Sequence, residues 1–223
     1  MAQNSFTQHC RQEADTAALA QKLASSLSHL FQADQRAHLN ISLEGDLGAG
    51  KTTFARYLIK ALGYEGRVKS PTYTLCEPYP IQIKIGNALT TANLTAHHFD
   101  LYRMRDPLEW QEAGFTEYFD EPGFCLVEWP EKAEGTLPAF DIQIHLIAGD
   151  DENERNISLQ AKSRPIKMFC KASLLPFQSI SHPVEVKVMG CDVCCSRWIA
   201  MLDLNRVRLT QGVGWTLHAP LIS

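Results

Sequence analysis

The chain has 223 residues, of which 45% are hydrophobic and 21% charged, with a formal net charge of −4. That length suits one full domain and a small second one, with room for a core that needs no disulfide staples, and the balance excludes wholesale disorder. No run of about 18 apolar residues is present, Met1 to Arg11 lacks the pattern of a secretory signal, and seven irregularly spaced cysteines fit a reducing compartment; the expectation is a cytoplasmic globular protein with no membrane association.

In chain order, Leu19, Leu23, Leu27 and Leu30 recur at helical spacing, which predicts an amphipathic helix over Glu13–Phe31. Leu39 to Glu44 alternates apolar and polar residues as a strand does. Gly45 to Gly50 reads as a glycine-rich loop, and Lys51 to Leu62 as a second helix closed by Gly63. Strands are expected over Tyr73–Tyr79 and Thr95–Tyr102, joined by a long hairpin around Ile81–Thr91. Asp106-Pro107 is a helix start, since proline in the first turn loses no needed donor. Phe124-Cys125-Leu126-Val127 is wholly apolar, as a buried central strand would be. Asp141–Ile147 and Arg155–Leu159 read as two late strands able to pair. The mixture makes the class α/β.

Charge divides the chain unevenly. Residues 1–160 carry 13 Lys+Arg against 22 Asp+Glu, whereas residues 161–223 carry 8 against 3 and hold four of the seven cysteines. The shift predicts an acidic main domain over 1–160 and a basic, Cys-containing C-terminal extension over 161–223, with a linker near Ala161. Neither part has the clustered Lys/Arg of a nucleic-acid footprint.

Gly45-Asp46-Leu47-Gly48-Ala49-Gly50-Lys51-Thr52 fits the phosphate loop G-x-x-x-x-G-K-[ST]. Glycines let backbone N–H groups turn onto phosphate oxygens, and the helix that follows brings its positive end to the same anion. In this pattern Lys51 reaches the β- and γ-phosphates and the Thr52 hydroxyl ligates Mg²⁺, so a nucleoside triphosphate and Mg²⁺ are the expected ligands. Such a loop needs an acid from a neighbouring strand. Glu128, at the end of Phe124–Val127, is one candidate, either holding Mg²⁺ through water or positioning the attacking water. Asp100 is the other, and strand alternation puts His98, Asp100 and Tyr102 on one face with Arg103 turned away. Ser70-Pro71-Thr72 offers hydroxyls on a stiffened loop suited to sensing a γ-phosphate.

Four segments in order, Leu43–Phe54, Val68–Leu75, His97–Arg103 and Cys125–Pro130, together resemble the bacterial TsaE (YjeE) family over about residues 10–160. The resemblance implies a P-loop NTPase-like, mainly parallel sheet flanked by helices. It implies a Mg-dependent, partner-dependent ATPase serving the complex that makes N6-threonylcarbamoyladenosine next to the anticodon of tRNAs reading codons that start with A. The implied partners are the threonylcarbamoyl transferase TsaD and its paralogue TsaB, with tRNA reached only through that complex. Carried over by residue, phosphate contacts fall on Leu47, Gly48, Ala49, Gly50, Lys51 and Thr52, and magnesium on Thr52 and Glu128. Asp100, Glu128 and Lys51 carry catalysis, Trp129 packs beside the site, and adenine contacts fall near Gln12 or Arg155.

Two features depart from the family. The segment Ile81–Ala96 is longer than expected, and alternation of Ile81, Ile83 and Ile85 makes a longer hairpin one explanation and an altered partner surface the other. The tail contains Cys191-Asp192-Val193-Cys194, which Cys170 and His182 would extend to four zinc ligands; free thiols are the alternative. Two other functions share the loop: a small-molecule kinase, against which stands the lack of an Arg-rich lid, and a nucleotide-gated binding module without turnover.

Overall fold

A computed structural model describes residues 5–84, 91–162, 208–211 and 215–218. The chain divides into two compact units, Met1–Leu175 and Pro176–Ser223. In the first, strand β1 (Ser5–Cys10) leads into helix α1 (Glu13–Ala33), strand β2 (His38–Glu44) and helix α2 (Lys51–Ala61). Strands β3 (Cys76–Lys84) and β4 (Thr91–Asp100) follow, then the short helix α3 (Glu109–Glu112), strand β5 (Gly123–Glu128), and strands β6 (Ile142–Ala148) and β7 (Arg155–Ala161). In the second unit, β8 (Arg208–Gln211) and β9 (Trp215–His218) form an antiparallel pair.

The seven strands of the first unit form one sheet in the order β1-β7-β6-β2-β5-β4-β3. Its centre is parallel (β6 to β2, β2 to β5, β5 to β4), and β1, β7 and β3 add antiparallel edges. Alternation along the strands sorts side chains onto two faces. Leu39, Ile41 and Leu43 of β2 join Phe124 and Leu126 of β5 in the core that α1 and α2 cover, whereas Cys125 and Val127 turn to a second core with Phe99, Trp110 and Phe119. Every residue of β5 is buried, which is why that strand reads as a continuous apolar run.

Helix α1 buries Leu19, Leu23 and Leu27 of the predicted stripe, with Phe31 rather than the partly buried Leu30 as the fourth, and begins where the Asp15 carboxylate accepts hydrogen bonds from the Arg11 and Gln12 backbone N–H groups. Helix α2 ends as expected, with Gly63 at φ +97°.

Three expectations are corrected. Tyr73 and Thr74 lie in a turn and the strand starts at Cys76, because the hydroxyl-rich segment before it folds onto Asp100 instead of pairing. The next strand stops at Asp100, where the Tyr102 N–H bonds back to the Asp100 carboxylate, so Tyr102 does not continue the His98–Asp100 face. Asp106-Pro107 opens only a turn, and α3 starts at Glu109. The hairpin is indeed long: Ile81 to Lys84 pair with Leu94 to Thr91. The zinc candidates Cys170, His182, Cys191 and Cys194 lie outside the described residues. Among the described residues no helix is long and apolar enough to cross a membrane.

Gly123 opens β5 at φ +131°, and a Cβ there would sit 2.1 Å from the Thr95 carbonyl oxygen of β4. Gly123 and Thr95 are paired backbone of neighbouring strands, so neither yields cheaply. Gly123→Ala should therefore destabilise the fold by about 2 kcal/mol or more, read as a lower urea midpoint at unchanged slope.

Candidate functional site

The carboxyl ends of the parallel strands β2, β5 and β4 lie side by side, with Leu43 opposite Glu128 and Glu128 opposite Asp100. Such an edge is where open parallel sheets place their ligands. β2 delivers the loop Gly45–Gly50, and β5 and β4 deliver the two acids on the face covered by α2. Gly45, at φ +143°, brings the loop backbone so close that a Cβ would lie 2.2 Å from the Leu146 carbonyl oxygen. Only glycine fits there. Leu47 is exposed at the loop tip, while Ala49 is buried beneath it.

Lys51 opens α2 and is only 5% exposed. Its Nζ donates to the Gly45 and Asp46 carbonyls at 2.5 and 2.8 Å and lies 3.7 Å from the Trp129 ring centroid. Burial holds its pKa below the ordinary lysine value, against the pull of Glu128, Glu131, Asp100 and Asp46. Trp129 reaches it from an unusual backbone, φ +59° and ψ +48°. For an L-residue that conformation costs about 1 kcal/mol, and it folds the indole back over the ammonium instead of continuing the strand.

Glu128 is 1% exposed. Its Oε2 accepts from the Thr52 hydroxyl at 3.0 Å, and its Oε1 lies 2.8 Å from His98 Nε2. His98 is itself fully buried, and its Nδ1 has no partner among the described residues. The neighbouring histidine faces the other way: His97 stacks on Tyr118 at 4.2 Å and meets Glu121 at 3.1 Å. Asp100 anchors the Ser70–Thr72 segment, because its Oδ2 accepts from Ser70 at 2.5 Å and from Thr72 at 3.0 Å. A hydroxyl beside a carboxylate is a set of hard oxygen donors, which suits Mg²⁺.

The structure thus brings Lys51, Thr52, Glu128, Asp100, Ser70, Thr72 and Trp129 to one edge. Tyr102 reaches it only as a ring 4.9 Å from Trp129. Arg103 lies over the Tyr73 ring at 4.3 Å. Arg155 grips the loop itself, with Nε on the Ala49 carbonyl at 2.8 Å and Nη2 on that of Gly48 at 3.2 Å. Gln12 stands at the start of α1. Sequence reasoning missed the His98–Glu128 and Arg155–loop contacts, because both join residues far apart in the chain; the period-two spacing of His98 and Asp100 was the available signal for the first.

A buried carboxylate that loses its partner is costly. His98→Ala should lower stability by about 3 kcal/mol, whereas His98→Gln, which keeps an N–H donor for Glu128, should recover much of that in urea unfolding. Equal loss in both variants would show that the ring's packing matters and the hydrogen bond does not.

Comparison with known proteins agrees with this architecture. The family model described as threonylcarbamoyl adenosine biosynthesis protein TsaE matches residues 10–157. A tRNA threonylcarbamoyladenosine biosynthesis protein TsaE from Haemophilus influenzae is 40% identical over 159 residues, spanning 71% of this chain and 91% of the relative. Its counterpart from Bacillus subtilis is 40% identical over 132 residues, 59% of this chain and 75% of that one. The crystal structure of Bacillus subtilis YdiB superposes with a TM-score of 0.55 at 29% identity, covering 76% of this chain and 94% of that one. With most of its first unit matched in sequence, and a sheet with parallel core strands flanked by helices as that resemblance implies, the chain belongs to the TsaE family of tRNA threonylcarbamoyladenosine biosynthesis proteins.

Proposed function

We propose that this chain is the Mg-dependent ATPase of the complex that makes N6-threonylcarbamoyladenosine beside the anticodon of tRNAs reading codons that start with A. The observation that carries the reading is the Thr52–Glu128 hydrogen bond, which sets a hydroxyl and a buried carboxylate together beside a phosphate loop. In this reading the backbone of Leu47 to Thr52 cradles the phosphates. The Lys51 ammonium exchanges its carbonyl acceptors for β- and γ-phosphate oxygens. Thr52 and Glu128 would hold Mg²⁺, which supplies charge neutralisation on the transferring phosphoryl group when bound. His98 fixes the Glu128 carboxylate from behind.

Asp100 holds Ser70 and Thr72 where a γ-phosphate would compete for their hydroxyls, so the same contact serves as the nucleotide sensor. Hydrolysis joins a water oxygen to the γ-phosphorus and breaks the bridging P–O bond. The electron pair stays on ADP, and the water's proton leaves as inorganic phosphate forms. Arg155 is committed to loop carbonyls and Arg103 to the Tyr73 ring, so neither is free to act as an arginine finger. That favours slow turnover alone and activation by the transferase TsaD with its paralogue TsaB. The acidic balance of residues 1–160 favours contact with tRNA through those partners.

ATP hydrolysis by the purified chain should be slow alone and strongly stimulated by the transferase pair, with Lys51→Ala abolishing it. Glu128→Gln and Asp100→Asn should each lower stimulated turnover about 100-fold or more while ATP still binds. If turnover survives in both variants, the acids have no catalytic part. If modification survives while hydrolysis is lost, the chain is a nucleotide-gated binding module.

A further inference from the structure

Beside the reaction centre lies a second feature that the reading above leaves unused. An open groove of about 580 Å³ runs between α2 and the segment 65–70, lined by Thr52, Arg56, Lys60, Glu65, Arg67 and Lys69 along with Ser70. Thr52, Arg56 and Lys60 are spaced four apart on α2 and so share one helix face. Across from them, Arg67 and Lys69 flank Val68, whose side chain is buried in the core. The Tyr79 hydroxyl pins this wall, accepting from the Lys69 N–H at 3.1 Å and donating to the Lys69 carbonyl at 3.2 Å.

Four cations therefore face one carboxylate, Glu65, in a domain that is acidic elsewhere. None of the four is in an ion pair among the described residues, where the only close acid–base pairs are made by histidines. Unpaired like charges repel, so gathering them on a braced wall is unfavourable without an anion to bind. The groove's inner end settles which anion. It starts at Thr52 and Ser70, the hydroxyls beside Glu128 and Asp100, which is the γ-phosphate end of the site in the proposed reading.

We infer that this groove is a subsite for inorganic phosphate, receiving the dianion as it leaves the reaction centre and guiding it outward along Arg56, Arg67, Lys69 and Lys60. The inference rests on the ATPase reading. Hydrolysis of ATP with one water yields ADP, inorganic phosphate and a proton, so the phosphate emerges with its full charge where ADP blocks the loop side. Two arginines and two lysines supply the charge-assisted donors that such an anion needs.

The test titrates inorganic phosphate into the full chain saturated with Mg-ADP, by calorimetry, for the wild type and for Lys60→Ala and Arg67→Ala. Both side chains are exposed, so neither change threatens the fold. Each variant should weaken phosphate binding about tenfold, and the pair together more, with affinity for a fluorescent ATP analogue unchanged. Absence of phosphate binding in a wild type that binds ATP would overturn the inference alone; so would equal binding in all variants, or parallel loss of ATP affinity. A wild type that binds no ATP would overturn the parent reading and the inference with it. A parallel titration with unmodified tRNA separates the other source of phosphate: variants that lose tRNA binding and keep inorganic phosphate would reassign the groove to the RNA backbone and overturn the inference.

Discussion

A carboxylate with 1% exposure is costly to bury without hydrogen-bond partners, and the architecture of this site follows from that constraint at Glu128. Its two oxygens are taken by Thr52 and His98. One partner comes from the helix behind the phosphate loop, the other from the neighbouring strand. Both contacts require β5 to lie between β2 and β4, all running the same way, so that three carboxyl ends meet at one level. The buried, wholly apolar character of β5 makes that central place the favourable one. Position in the sheet and charge at the site are thus the same requirement seen twice.

Around that acid, the loop is braced from both sides. Lys51 ties its first turn from within, and Arg155 ties its last carbonyls from β7, reaching across the sheet order from the start of a strand two places away. Trp129 covers the ammonium at the cost of a left-handed backbone. Strain of this kind survives where the surroundings over-determine the conformation, and the contact it secures is with Lys51, the buried lysine that opens α2. Asp100 does for the 70–72 segment what Glu128 does for the helix: it fixes hydroxyls, those of Ser70 and Thr72.

Much of this was legible in the chain. Helical spacing located both long helices, because their buried stripes repeat every three to four residues. The apolar run before Glu128 identified the central strand, and the loop was identified by the company of a strand before it and a helix after it. Legibility failed where polar segments fold onto distant side chains. Thr72 to Thr74 has the composition of a strand, but its hydroxyl chemistry is drawn to Asp100 and Glu77, so β3 starts later. The turn at Tyr102 likewise follows from a backbone bond to Asp100 that no periodicity reports.

What the sequence determined by itself was the α/β class, the order of elements from α1 to β7 and a contiguous G-x-x-x-x-G-K-T loop between a strand and a helix, while β1 (Ser5–Cys10) went unread. Each is encoded locally, in periodicity or in a contiguous motif. Only the tertiary structure decided that His98 supports Glu128 while His97 turns to the opposite core, that Arg155 grips the loop, and that Arg56, Lys60, Arg67 and Lys69 share one groove. Those groupings depend on strand order and on how a helix packs over it. A linear pattern of residue types carries no measure of either.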